Sequence, residues 1–188
     1  MKNHLFPIHD SVPMIEVILN RYKKDLGKDF IPYRNHVYRV FHFALIYADA
    51  TDDPEGSAFQ KIAVAAAFHD IGIWADHTWD YIQPSIVRAS EFLVKKNHTD
   101  WVFDISFMIS EHHKFSRCRG PFTHLADAFR KADWLDVMLF ALPTRLPRSY
   151  LKDCLAVFPR MGFHRRLLEL GSAWAKQHPF KPLPMMKF

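Results

Sequence analysis

The sequence predicts an all-α protein built as a single-domain helical bundle. Apolar residues recur at helical spacings along almost the whole chain, and no segment alternates convincingly as a strand does. The chain has 188 residues, about the size of one domain, and no break between helices is long enough to separate a second one. We therefore expect one core enclosed by helices.

The first two helices are indicated by residues at their ends. Ser11 can cap a helix that runs to about Asp25, and Gly27 is its stop signal. Pro32 suits the first turn of the second helix. Spacings of four, three and four place four side chains on one face of this second helix, namely His36, Val40, Phe43 and Tyr47.

The remaining helices follow from breaks in the apolar pattern. Loops are expected at 52–57, 75–83 and 116–121, where polar residues, glycine or proline gather. Further helices are predicted at about 57–71, 84–97, 99–114, 122–140, 148–157 and 162–176. The chain thus divides into an N-terminal helix and linker at 1–31, a helical domain at 32–176, and a tail at 177–188. Three prolines keep this tail from forming a regular helix, and we expect it to wrap the surface or to bind a partner.

Composition and charge exclude several classes of protein. The longest apolar runs are far too short to span a bilayer, and the N-terminus lacks a signal-peptide pattern, so a cytoplasmic protein is expected. Cys118 and Cys154 lie far apart and are predicted to be free thiols. The net charge of +5 is spread over several basic groups, which favours a small anionic substrate or simple solubility over nucleic acid. Assembly into a homo-oligomer stays open.

One doublet carries most of the functional information. His69 and Asp70 end an alanine-rich apolar stretch, where an unpaired polar group would cost roughly 1–3 kcal/mol. A bound metal cation would satisfy both side chains. Gly72 is expected to let the backbone turn away from the helix.

Two further polar residues lie on other predicted helices. His36 and Asp133 can meet the doublet, because helical bundles build metal sites from side chains on facing helices. Two imidazoles and two carboxylates suit a divalent transition metal (Mn²⁺, Fe²⁺, Co²⁺, Ni²⁺ or Zn²⁺) better than Mg²⁺. On a six-coordinate ion, these four ligands would leave two positions for water or a substrate oxygen.

Four short segments occur in a fixed order along the chain, and three of them contain these residues. They read RNHVYRV at 34–40, FHDIG at 68–72, ISEHH at 109–113 and KADWLD at 131–136. Together they resemble the HD-domain superfamily of metal-dependent phosphohydrolases, over about residues 33–139. The resemblance implies an all-α fold, and in many members phosphoester hydrolysis. It also implies a metal held by His36, His69, Asp70 and Asp133. The superfamily further contains nucleotidases, cyclic-nucleotide phosphodiesterases, a hydratase branch and di-iron oxygenases.

The resemblance also bears on the number of ions. Dinuclear members carry additional histidines between the doublet and the last aspartate, and Gln83 occupies the position that aligns with the first of them. This departure favours one ion per chain. His77 could restore a ligand if its loop folds inward, and His112 or His113 could supply one ligand to a second ion.

Several neighbouring residues are candidates for roles in catalysis and substrate binding. Adjacent helical residues point about 100° apart, so only one of His112 and His113 is expected to line the site, with His112 favoured by its place in the resemblance. The expected catalytic residues are Asp70, His112, His77 and Asp76. The expected substrate-binding residues are Lys114, His113, Arg39 and Arg117.

Each of these roles has a simpler structural alternative. Lys114 and Arg117 could be a solvated helix end, Arg39 an ordinary salt bridge, and the 76–80 loop a set of turn residues. The aromatic residues of this region could shape a pocket or belong to the core: Trp74, Trp79 and Tyr81. The basic and aromatic segment at 158–166 is expected to form an exposed helix face.

The sequence favours a metal-dependent hydrolase that acts on a small, nucleotide-like phosphate ester. The ion would activate water and polarise the phosphoryl oxygen. An HD-type hydratase or di-iron oxygenase would keep the metal and change the reaction. A non-catalytic module that binds a nucleotide in the same pocket is an alternative of another class.

Overall fold

The computed structural model describes residues 6–51, 53–120 and 123–186, and this part of the chain is helical without a strand. The all-α prediction is therefore confirmed. Short 3-10 turns at Gly27–Asp29 and Thr99–Trp101 precede two of the helices. The α-helices are α1 (Pro13–Arg21), α2 (Lys23–Leu26), α3 (Phe30–Tyr47), α4 (Ser57–Phe68), α5 (Gly72–Ala75), α6 (Ile82–Lys95), α7 (Val102–Glu111), α8 (Thr123–Val137), α9 (Arg148–Val157) and α10 (Phe163–Gln177).

The first helix differs from its prediction at the start and in the middle. It begins at Pro13, after Val12 in an extended conformation, and Ser11 does not cap it. Proline at the first helical position has a backbone angle already suited to a helix and needs no hydrogen-bond partner. Tyr22 separates α1 from α2, and Gly27 ends α2 with a φ of 51°, which confirms the predicted stop.

Helix α3 forms the centre of the bundle. Its side chains are buried on every side from Asn35 to Ile46, so the predicted single buried face is too narrow a description. The helix packs most extensively against α8 and also against α4. A helix buried all round brings polar residues into the core, where each must find a partner.

The backbone forms tighter, 3-10-like turns at His69 and Asp70. Helix α4 ends at Phe68, and hydrogen bonds of the i to i−3 type follow, from Ile71 N to Phe68 O and from Ile73 N to Asp70 O. Gly72 begins α5 and has no positive φ, so the expected turn is not its role. A β-carbon there would lie 2.8 Å from the Tyr81 carbonyl oxygen, so glycine permits a close approach of two backbones.

The C-terminal part lies against the loop before α6. Trp79 packs against Gly171 of α10, and Lys181 forms a 2.8 Å ion pair with Asp80. Met185 is 4% exposed, so the described part of the tail lies along the surface of the domain. Among the residues that the structure describes, no helix combines the length and the apolar character needed to cross a membrane.

Candidate metal centre

Six imidazole and carboxylate side chains meet in the core, and we call them the His/Asp cluster: His36, His69, Asp70, His112, His113 and Asp133. They come from α3, from the turn after α4, from the residues that follow α7, and from α8. All are buried except His113, whose side chain is 14% exposed. The cluster contains the four residues that the sequence proposes as metal ligands.

His36 and His69 form the closed end of the cluster. Their Nε2 atoms lie 3.0 Å apart. Asp70 Oδ2 lies 3.2 Å from His69 Nε2, and Asp133 Oδ1 lies 3.5 Å from His36 Nε2. Two nitrogens and two oxygens thus converge on a space enclosed by the protein.

The hydrogen bonds made by the Nδ1 atoms of His36 and His69 determine whether their Nε2 atoms carry a proton or a lone pair. His36 Nδ1 lies 2.8 Å from the Asp136 carboxylate, and His69 Nδ1 lies 2.8 Å from the Ala66 carbonyl oxygen. Both partners only accept, so each Nδ1 carries a proton and donates it. In a neutral ring, Nε2 then keeps its lone pair. Two lone pairs that face each other at 3.0 Å need a cation or a proton between them.

His112 and His113 form the open end. His112 Nδ1 donates to the Ile109 carbonyl oxygen at 2.6 Å, so its neutral ring presents an Nε2 lone pair, 3.4 Å from Asp70 Oδ1. His113 Nδ1 lies 3.8 Å from Asp133 Oδ2. Both histidines reach the cluster because His112 uses its distal nitrogen and His113 its proximal one. The expectation that only one would do so is wrong.

Each carboxylate presents one oxygen to each end. Asp70 Oδ2 faces the closed end and its Oδ1 faces His112. Asp133 likewise presents Oδ1 to the closed end and Oδ2 to His113. Neither oxygen of Asp133 accepts a hydrogen bond from any residue that the structure describes, and the same holds for Asp70 Oδ1. Buried carboxylate oxygens that lack donors are typical of a site that takes a cation.

The electrostatics of the two carboxylates differ. Burial, reinforced by Asp70 and Asp136, raises the pKa of Asp133 well above its ordinary value. Burial would also raise the pKa of Asp70, but positive charge and N–H donation from the His69 and His112 rings, where a proton stands in for the cation, outweigh it and hold the pKa well below the usual range. Burial lowers the pKa of His36 to about 4, so its ring is neutral near pH 7, as a metal ligand must be.

Asp136 supports the closed end from behind, a role that was not predicted. Its Oδ2 accepts from His36 Nδ1, and both its oxygens accept from the Arg39 guanidinium, at 2.6 and 2.8 Å. These contacts hold the Asp136 pKa far below the ordinary value in spite of burial. A carboxylate that orients a histidine in this way is the usual second layer of a metal site.

Arg39 is therefore placed behind the cluster and not in it. The side chain is fully buried, and its third contact is a 2.8 Å hydrogen bond to the Phe158 carbonyl oxygen. Phe163 also lies behind His36, with the two rings stacked at 4.3 Å. Phe158 and Phe163 are buried whereas Arg165 is exposed, so only part of the segment at 158–166 forms the exposed face that the sequence suggested.

Tyr81 connects to the open end. Its hydroxyl lies 2.5 Å from His113 Nε2, and burial raises its pKa well above the ordinary value, so the phenol keeps its proton. Two proton arrangements fit this distance: the phenol donates to Nε2, or Nε2–H donates to the phenol. Only the second leaves the Nδ1 lone pair of His113 facing Asp133.

The other expected catalytic residues lie away from the cluster. Arg88 holds Asp76 by two hydrogen bonds of 2.7 and 2.8 Å. His77 is exposed and has a φ of 51°. The structure therefore does not bring the 76–77 segment onto the doublet.

The remaining substrate-binding candidates lie at or beyond the open end. Lys114 pairs with Glu111 at 3.1 Å, next to His113 in the chain. Arg117 is 83% exposed and lies 3.9 Å from Asp127, further along the segment that follows His113.

Gln83 also lies outside the cluster. It is exposed on the outer side of α6, beside Val87 and Val94. A residue in this place neither adds a ligand nor removes one, so it carries no information on the number of ions. That number depends on the open end, where His112 and His113 each present a nitrogen near Asp70, and not only one of them as expected.

The donor set could hold a metal ion. Imidazole nitrogens and carboxylate oxygens converge with lone pairs inward, and they form two groups: His36, His69 and Asp133, and Asp70, His112 and His113. A comparison of the chain with protein-family models, curated proteins and solved structures finds no match. The site therefore has to be interpreted from its own chemistry.

Proposed function

We propose that the protein is a metal-dependent hydrolase of small phosphate esters. The observation that carries this proposal is the orientation of three imidazoles. His36, His69 and His112 each donate Nδ1–H outward, which leaves three Nε2 lone pairs beside two carboxylates. Such a set of acceptors favours a cation and is poorly suited to a neutral ligand.

The closed end would hold the ion. His36, His69, Asp70 and Asp133 supply two nitrogens and two oxygens, a set that suits Mn²⁺, Fe²⁺, Co²⁺, Ni²⁺ or Zn²⁺ better than Mg²⁺. When bound, such an ion lowers the pKa of water and polarises a phosphoryl oxygen. The HD-type order of these residues in the chain supports phosphoester hydrolysis as the reaction.

The chain's own residues at the open end would handle the substrate. His113 is the most exposed ring of the cluster and shares a proton with the Tyr81 hydroxyl. A departing alcohol oxygen needs a proton as its bond to phosphorus breaks, and this pair holds one beside the cluster. Lys114 is the next residue in the chain, and its ammonium would meet a phosphate only by exchanging its pair with Glu111 for the substrate.

The open end also supports a second candidate function. Asp70, His112 and His113 could hold a second ion, and a dinuclear iron centre would suit an oxygenase of the same superfamily. One ion per chain remains our first proposal, on the ligand set of the closed end. Two irons per chain together with substrate-dependent oxygen uptake would support the oxygenase instead.

The test combines metal content with turnover. Protein purified without oxygen is analysed for its metals and then screened for phosphate release from small phosphate esters with the metal found. Asp70→Asn removes the charge that faces both ends of the cluster. We expect it to lose the metal and to lower phosphate release at least about a hundredfold.

Asp104→Asn is the matched control, because Asp104 lies on α7 and pairs with Lys61 outside the cluster. It should keep both the metal and the activity. Full activity of the metal-free Asp70→Asn protein would refute the proposal. Tight binding of a nucleotide that stays intact in metal-loaded protein would also refute it, and would indicate a binding module.

A further inference from the structure

A groove of about 1060 Å³ runs along α8, and its described lining contains neighbours of the His/Asp cluster in the chain but no member of it. One wall is the outward side of α8, and the other is formed by the segment after α7 and by the chain around 142–145. The volume is at the upper end of the range of small-molecule sites, about 300–1,000 Å³. The groove therefore has room for a ligand of the size of a nucleotide.

The groove carries an excess of positive charge. Among the described lining residues, Asp127 is the one acidic group at the centre, and three cations face its carboxylate: Arg130 at 2.8 Å, Lys131 at 2.9 Å and Arg117 at 3.9 Å. Arg145, at the other end, is balanced by Asp49. The centre thus keeps about two positive charges that Asp127 does not balance, which favours an anionic ligand.

The same groove presents flat and apolar surface. The rings of Phe115 and Trp134 lie 5.1 Å apart on one side, and Phe115 is 53% exposed. Met138 and Leu142 are exposed along the groove. Aromatic rings beside arginine and lysine are the usual elements that hold a planar ring bearing a phosphate.

Two segments of the chain connect the groove to the cluster. After α7, His113 belongs to the cluster and Phe115 to the groove. On α8, Asp133 belongs to the cluster and Trp134 to the groove, and the Trp134 ring lies edge-on to His113 at 6.3 Å. A ligand in the groove would therefore lie next to the open end.

We propose that this groove holds the aromatic part of the substrate, so that the preferred substrates are phosphate esters of an alcohol that carries a flat aromatic ring, such as nucleoside monophosphates. The catalytic consequence rests on the proposed function, but binding in the groove does not. The ring would stack on Phe115 and Trp134, and the cations around Asp127 would attract the anionic group as it approaches His113.

Binding is measured by equilibrium dialysis of the full chain, as purified, against an adenine nucleoside 5′-phosphonate. The carbon–phosphorus bond of this probe resists hydrolysis, so binding is observed without turnover. We expect saturable binding, weakened about tenfold by Phe115→Ala through lost stacking. Arg117→Glu should weaken it to a similar degree through reversed charge.

Two exposed residues outside the groove give matched controls. Phe103→Ala removes a ring that is 64% exposed on α7, and Arg165→Glu reverses a charge whose side chain is 86% exposed on α10. Both should bind the probe like the original chain. The inference is overturned if the original chain binds no probe, or if all four variants bind it equally. Groove-dependent binding without phosphate release from any ester would keep the groove and reject the hydrolase.

Discussion

The two ends of the His/Asp cluster use the same residue types in different surroundings. At the closed end, His36 is fully buried, stacked on Phe163 and held by Asp136, which Arg39 holds in turn. At the open end, His113 is partly exposed and its ring is held by one phenol. The first arrangement fixes a ring in one orientation, whereas the second leaves a ring in contact with solvent.

Under the proposed function, this difference would divide the work between the two ends, with the ion at the closed end and the substrate at the open end. A metal ligand binds best when its lone pair is already oriented before the ion arrives. The hydrogen bonds of Asp136 with Arg39 and with His36 fix the orientation of the His36 ring. A group that meets substrate has to be reachable and able to change its proton. His113 satisfies both conditions, because either proton arrangement with Tyr81 fits the observed distance of 2.5 Å.

Breaking the support of the closed end should give the largest effect. Asp136→Asn keeps the shape of the side chain but leaves the buried Arg39 without its charged partner. We expect the free energy of unfolding to fall by about 3–5 kcal/mol and metal affinity to drop about 10–100-fold. Urea unfolding and metal titration measure the two effects.

Asp104→Asn gives the comparison for this variant, since it breaks the partly exposed Lys61 pair on α7. Its cost should stay below about 1 kcal/mol, with metal affinity unchanged. Equal losses in the two variants would mean that Asp136 has no special place behind His36. If Asp136→Asn does not fold, Arg39→Lys keeps the charge and allows the metal titration to be made.

Acid should also weaken the helix that supports the closed end. His42 on α3 is fully buried, donates to the Tyr38 carbonyl oxygen and accepts from His9 N, and burial lowers its pKa from 6.5 to about 4. The His9 ring stacked on it lowers this pKa further. The folded state therefore favours the neutral ring. The stability that His42 contributes is complete above pH 6.5 and is lost as the pH falls towards about 4.

The size of this acid effect follows from the shift. About 1.4 kcal/mol per pH unit gives a loss of up to about 3 kcal/mol between pH 6.5 and 4. Urea unfolding of metal-free protein at several pH values measures it, and His42→Gln should flatten the profile by about that amount. A profile that is the same with and without His42 would contradict the expectation.

Much of the fold could be predicted because helical periodicity is a local property. The helices around the doublet, and the stop at Gly27, follow from spacing and from the conformational freedom of glycine. The start at Pro13 was missed because proline fixes the backbone more strongly than a serine cap. The break at Tyr22 was missed because no glycine or proline marks it. Gly72 was misinterpreted, because its close neighbour, the Tyr81 carbonyl, is set by tertiary packing.

The cluster was predictable only in part, for a similar reason. His36, His69, Asp70 and Asp133 follow an ordered pattern in the sequence, and the structure brings them together. Asp136 could have been found from its place three residues after Asp133, one helical turn further along α8. The contacts of Tyr81 and Phe163 depend on how distant segments pack, and no local pattern indicates them.

The variant with the smallest expected effect, Tyr81→Phe, distinguishes the roles of the two ends of the cluster most clearly. Tyr81→Phe removes one hydroxyl from a buried ring and leaves the shape of the site unchanged. His113 then loses its hydrogen bond, worth about 1 kcal/mol, while the ligands of the closed end keep theirs. We expect phosphate release to fall by about tenfold at unchanged metal content.

Tyr33→Phe is the matched variant on the other side, because the Tyr33 hydroxyl donates to the Ala67 carbonyl oxygen at 3.2 Å and its ring lies beside His36 and His69. Its turnover should equal that of the original chain, since this hydroxyl holds no proton at the open end. If both variants lower turnover equally, the phenols contribute through packing alone, and the open end has no separate part in moving protons. A loss confined to Tyr81→Phe would instead assign proton handling to His113 and Tyr81, and metal holding to the closed end.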